Sequence, residues 1–211
     1  MKKQLTLAIC LLTAFGLWTA LVCLVDVRAI GPMGSAVGFA TLNGWFHKLT
    51  GVHPSLYVIT DILSLIPIGI ALGFAVLGLV QWIGRKKLSA VDPDILMLGG
   101  FYIITAAAYL FFEIFVVNVR PVLIEGAMEA SYPSSTTVLV LCIMSTAIMQ
   151  ARMRVKSKTP RNILTIATCV FSAFMIVGRA VCGVHWLTDI IGGILLGAGL
   201  VLIYCSCCHF E

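Results

Sequence analysis

Long apolar runs recur along the chain, separated by short breaks that carry most of its charge. Six of them are long enough to cross a bilayer as helices, which takes about 20 residues. They fall at residues 5–25, 57–83, 95–119, 135–151, 163–181 and 187–207. The pattern predicts an all-α integral membrane protein, a six-transmembrane-helix bundle in which residues 1–211 form a single domain. Pro67 falls inside the second run and predicts a bend there. The less apolar stretch 31–54, with Trp45, Phe46, His47 and Lys48, predicts an outer loop with a short interfacial helix. That helix is either an anchor or a lid over a lipid site. Gly69-x3-Gly73 and Gly193-x3-Gly197 are spacings that let membrane helices approach closely. Trp18, Trp82 and Trp186 fall near span ends, where tryptophan anchors membrane helices.

The basic residues alternate between the breaks. Lys2, Lys3, Arg85, Lys86, Lys87, Arg152, Arg154, Lys156, Lys158 and Arg161 fall on one side, ten of the fourteen Lys and Arg residues. Arg28, Lys48, Arg120 and Arg179 fall on the other. The positive-inside rule then places both termini in the cytoplasm, and Glu125 and Glu129 outside. Lys2-Lys3 before an apolar run resembles a signal peptide, but the run is too long and no small-x-small cleavage site follows. A retained first helix is expected.

Composition narrows the class. Hydrophobic residues make up 60% of the chain and charged residues 11%, against about a quarter charged in soluble domains. Such a chain cannot cover a water-facing surface. Its eight cysteines lie in apolar runs without a paired CxxC. They read as small apolar helix residues, with no zinc pattern and no disulfide framework. No metal, cofactor or nucleic-acid partner is expected.

Topology brings three distant segments to the outer face. The third span ends there at Arg120-Pro121, and the fourth begins at Pro133-Ser134-Ser135-Thr136. The fifth ends at Gly178-Arg179, and the sixth begins just after His185. Each feature alone has a structural explanation: a serine N-cap, a snorkelling arginine, a structural His–Asp pair. Together they make a phosphate site. Arg120 and Arg179 offer planar charged donors. Ser134 and Ser135 sit at a helix start, which favours anions. His185 and Asp189 are four apart, so on a helix they share a face. An aspartate there orients the imidazole for nucleophilic attack.

These residues resemble the type 2 phosphatidic acid phosphatase superfamily, whose pattern is Lys-x6-Arg-Pro, Pro-Ser-Gly-His and Ser-Arg-x5-His-x3-Asp. The chain reads Glu113-x6-Arg120-Pro121, Pro133-Ser134-Ser135-Thr136 and Gly178-Arg179-x5-His185-x3-Asp189. The third motif keeps every Arg, His and Asp spacing. The resemblance implies that His185 is a nucleophile forming a phosphohistidine and that Asp189 orients it. It also implies that Arg120, Arg179 and the backbone at Ser134-Ser135 hold phosphoryl oxygens, without metal. Three positions depart from the pattern. Glu113 replaces the lysine, and a carboxylate there repels phosphate unless it pairs with Arg120 or is protonated. Thr136 replaces the general-acid histidine, whose loss typically costs about 10²–10⁴-fold. Gly178 replaces a serine and removes a hydroxyl. His47 and His53 lie in the first outer loop, within reach of the site. His209 falls after the last span.

The function expected is a membrane lipid phosphatase with its active site facing outside, on a multi-pass protein of the plasma membrane. Its substrate is an amphiphilic lipid phosphate or a polyprenyl diphosphate such as undecaprenyl diphosphate. A diphosphate suits a weakened general acid, because its leaving phosphate needs little protonation. The alternatives are a pseudoenzyme that binds anionic lipid and a lipid transporter. A transporter is disfavoured by the lack of paired broken helices in two related halves.

Overall fold

A computed structural model describes residues 2–208; His209 lies outside them. The described residues form α1 (Lys2–Leu24), α2 (Ala40–Thr50), α3 (Pro54–Leu63), α4 (Leu65–Arg85), α5 (Pro93–Ile114), α6 (Ser135–Arg154), α7 (Lys158–Val181) and α8 (Leu187–Cys208). Six stretches are long and apolar enough to span a membrane: α1, α3 with α4, α5, α6, α7 and α8. The protein is an all-helical, multi-pass membrane protein, as the run pattern predicts.

The second span is two helices, because the helix is interrupted at Ser64. Pro67 has no N–H for the Leu63 carbonyl and its ring crowds that carbonyl. The helix is disturbed just before it, at Ser64, where the dihedrals remain helical (φ −65°, ψ −15°), in keeping with a bend in one continuous span.

The fifth helix also departs from expectation. It ends at Ile114, not at 119. Beyond it the chain is extended: Val119 bridges Ala130, and Arg120 N–H donates to the Glu129 carbonyl at 3.0 Å. The apolar run continues to Val119, but its end is rich in valine, which suits extended chain better than helix. Arg120 therefore does not end a helix. Glu113 and Arg120 are not two turns apart on one helix; Glu113 sits in the last turn of α5 and Arg120 on the loop beyond.

Helices α6 and α8 form the centre, with over half of each buried. Leu17, Leu72, Ile103 and Ile166 on the surrounding helices are exposed, as a lipid-facing belt requires. Close approach at α8 depends on glycine. A Cβ on Gly193 would lie 2.9 Å from Thr137 Cβ, and one on Gly197 3.0 Å from Leu141 Cβ. The other small-residue pair behaves differently: Gly69 and Gly73 have nothing within 4 Å of a Cβ position, so no described helix packs there.

Helix α2 is the short helix expected in the first loop. Its buried Asn43 donates through Nδ2 to Thr188 Oγ1 at 2.9 Å and accepts from Thr188 N–H at 3.2 Å. That fastens α2 to the start of α8. Trp82 is exposed near the end of α4, as an anchor should be. Trp186 is buried and so is not an anchor, whereas Trp18 is half-buried. Trp18 stacks on Phe39 at 5.1 Å and donates to the Thr188 carbonyl at 3.1 Å. Trp186 is buried and donates to the Val119 carbonyl at 2.8 Å. Each ring spends its N–H inside the bundle, where an unpaired donor is costly.

Candidate active site

The start of α8 organises the site. Asp189 is fully buried. One carboxylate oxygen accepts the Trp186 N–H at 2.9 Å, and the other accepts Asn118 Nδ2 at 3.3 Å. Its carbonyl accepts the Ser134 N–H at 3.0 Å. One residue thus ties together α8, the loop after α5 and the start of α6.

His185 is buried beside it. Its Nδ1 lies 3.7 Å from Asp189 Oδ2, an ion-pair separation longer than a hydrogen bond. Its Nε2 faces Arg179 Nη2 at 3.4 Å. A guanidinium only donates, so Nε2 is the accepting nitrogen and the ring proton belongs on Nδ1, towards Asp189. Burial foremost, then Arg179 and Arg120, lower the imidazole from 6.5 to about 4, against the raising effect of Asp189. At neutral pH the His185 ring is uncharged.

Arg179 is buried and held by α3. Its Nη1 lies 3.5 Å from Thr60 Oγ1 and 3.7 Å from Asp61 Oδ1, and the guanidinium sits over the Tyr57 ring at 5.1 Å. Its Nε is buried without a hydrogen-bond acceptor. A Cβ on the preceding Gly178 would lie 2.8 Å from Thr60 Cγ2. The packing of α3 crowds the serine that this position otherwise carries in the motif. Arg120 pairs through Nε with Glu129 at 3.0 Å, and its buried Nη1 has no acceptor.

The structure refines the role of the serines. Ser134 has already given its N–H to Asp189, and its Oγ accepts from Thr137 Oγ1 at 3.0 Å. The N–H groups left without an intrahelical acceptor are those of Ser135, Thr136 and Thr137.

Arg120, Arg179, Ser135, Thr136 and Glu113 line one end of a cavity of about 1090 Å³. The cavity continues between α4, α5 and α6 along Leu72, Leu98 and Ile103. It therefore joins an end that carries two arginines to an apolar channel whose walls include exposed, lipid-facing residues. His185 and Asp189 do not line it; the Arg179 guanidinium stands between them and the cavity. His47 and His53 do not line it either. Their Nε2 atoms lie 3.3 Å from the Gly183 carbonyl and 2.7 Å from the Thr50 carbonyl. The cavity is bordered by Asp61 of α3 and by Ser64 between α3 and α4, and not by α2. Among the described residues no three His, Cys, Asp or Glu side chains converge to hold a metal ion.

Sequence reasoning missed Asn118, Tyr57, Thr60 and the partner role of Glu129. Asn118 had a signal, as a lone amide in the apolar stretch 114–119. Thr60 had none, because a threonine in an apolar helix is ordinary.

The fold is similar to the crystal structure of a transmembrane PAP2-type phosphatidylglycerolphosphate phosphatase from Bacillus subtilis. The TM-score is 0.64 at 16% sequence identity, with 96% of each chain covered; at that identity the likeness is one of fold. No curated protein matches the sequence. The sequence pattern of the PAP2 superfamily matches residues 92–210, more than half of the chain and inclusive of all three motif segments. The chain belongs to the PAP2 superfamily.

Proposed function

We propose that the protein is a membrane lipid phosphatase that hydrolyses a lipid phosphate or diphosphate at the non-cytoplasmic face of the plasma membrane. The observation that carries this reading is the stacking of Asp189, His185 and Arg179 against the polar end of an apolar cavity. The lipid tail occupies the channel between α4, α5 and α6. The phosphoryl oxygens take the open donors of Arg120, Arg179 and the start of α6. As Arg179 turns its donors to the phosphate, His185 Nε2 is released to attack phosphorus. Asp189, held by Trp186 and Asn118, stabilises the positive ring of the resulting phosphohistidine. The Bacillus subtilis protein is a phosphatidylglycerolphosphate phosphatase, which makes a lipid phosphomonoester one candidate class; a polyprenyl diphosphate is the other.

Phosphate release by the purified protein, with chelator present, tests the reading on a panel of lipid phosphates and diphosphates. Release that is lost in His185→Ala supports it. Release that survives His185→Ala contradicts it. A second reading is lipid binding without turnover, favoured by the cover that Arg179 places over His185 Nε2. Tight binding of the panel without any release would select it.

A further inference from the structure

Thr136 leaves the leaving group without the histidine that ordinarily protonates it, and Glu113 places a carboxyl where a lysine is ordinary. The structure brings these two departures to one place. Glu113 and Thr136 line the same end of the cavity as Arg120 and Arg179.

We infer that Glu113 is the general acid of this site, donating to the leaving oxygen the proton that Thr136 cannot supply. The inference rests on the phosphatase reading. A carboxylate facing a bound phosphate must either pair with a cation or carry a proton. The pairing is taken. Arg120 is engaged with Glu129 at 3.0 Å, and Arg179 lies against Asp61 at 3.7 Å. Among the described residues Glu113 has no cationic partner. Its hydrogen-bond partner is Tyr109, one turn earlier on α5. The groups around it are thus Tyr109, Arg120, Glu129, Arg179, Asp61 and the hydroxyls of Ser135 and Thr136. None of the cations among them is left to neutralise a third carboxylate once phosphate has bound. A carboxyl group acts as a general acid from its protonated form, and the proposed step starts from that form of Glu113.

The chemistry balances. His185 Nε2 forms a bond to phosphorus as the bond from phosphorus to the leaving oxygen breaks. The Glu113 proton passes to that oxygen and the alcohol leaves. Glu113, now a carboxylate, takes a proton from the water that attacks the phosphohistidine. The P–N bond breaks, its electron pair returns to Nε2, and inorganic phosphate leaves with Glu113 protonated again.

The test compares two phosphomonoesters on the full-length protein in detergent. p-Nitrophenyl phosphate has a leaving group that needs no proton; octyl phosphate has one that does. The readout is the ratio of their kcat/KM values on the same preparation, so the fraction of folded protein cancels. Glu113→Gln should lower the octyl ester's relative rate by about 10²–10⁴-fold, and adding Thr136→His should restore much of it. An unchanged ratio in Glu113→Gln overturns the inference alone, provided the unmodified protein shows hydrolysis that depends on His185. A ratio in the unmodified protein as steep as that of Glu113→Gln overturns it too. If the unmodified protein hydrolyses neither ester, the phosphatase reading falls and this inference falls with it.

Discussion

Asn118 Nδ2 donates to the buried carboxylate of Asp189 across 3.3 Å. The bond joins the loop after α5 to the first turn of α8 and supplies one of the two hydrogen bonds that fix the carboxylate. A hydrogen bond to a charged group contributes about 1.5–3 kcal/mol. Asn118→Ala should lower kcat/KM for a lipid phosphate roughly 10- to 100-fold, because Asp189 loses its orientation. Asn118→Asp should do more damage, since it sets a carboxylate against a carboxylate. Kinetics of the two variants check this; full activity in Asn118→Asp would contradict it.

The acid–base state of His185 is open to direct measurement. Its folded-state value lies at about 4, below the ordinary 6.5. A depressed value means that folding favours the neutral ring. The resulting stability is fully present above 6.5 and is lost as pH falls through about 4. At pH 5.5 an ordinary imidazole is only about one-tenth neutral, whereas His185 remains almost wholly neutral. Histidine-ring NMR should show a midpoint near 4, with the signal identified by its loss in His185→Gln. A midpoint near 6.5 would mean that the ring is neither buried nor flanked by Arg179 and Arg120 as described.

Gly178 is set by packing. A Cβ there would lie 2.8 Å from Thr60 Cγ2. Gly178→Ser should destabilise the protein by about 1–3 kcal/mol, as overpacking does. Thr60→Ser removes the offending methyl, so the double variant should recover most of the loss. Thermal unfolding in detergent measures both. A Gly178→Ser variant as stable as the unmodified protein would show that α3 does not press on α7 there.

Charge distribution predicts the direction of the bundle. Arg85 pairs with Asp92 at 2.7 Å, and Arg154 with Asp92 at 3.8 Å and with Asp94, at the end of the bundle away from the site. With both termini cytoplasmic, a cysteine at position 125 should react with an impermeant maleimide from outside. One at position 156 should react only after permeabilisation. The measurement uses single cysteines in a cysteine-free background, and the reverse pattern would invert the topology.

The six spans and the convergence of Arg120, Arg179 and His185 at one end were legible in the sequence, because apolar length and charge alternation are strong one-dimensional signals. The one-residue interruption at Ser64 was legible as the bend expected at Pro67. The end of α5 was not legible, since apolarity runs on to Val119 while the backbone leaves the helix at Phe115 to pair with residues 129–131. Trp186 had the position of an interfacial anchor and became a buried donor to Val119. The grip of α3 on Arg179 was hidden for the same reason: partners that meet only in three dimensions leave no spacing to read. Thr60 is 119 residues from Arg179.

The central claim is that His185 takes the phosphoryl group before water does. The stereochemical course at phosphorus tests it most directly. The substrate is a lipid phosphate made chiral with oxygen isotopes, transferred by the purified protein to an alcohol acceptor. Two successive displacements, first by His185 Nε2 and then by the acceptor, predict retention of configuration. Inversion would mean a single direct displacement and would contradict the account.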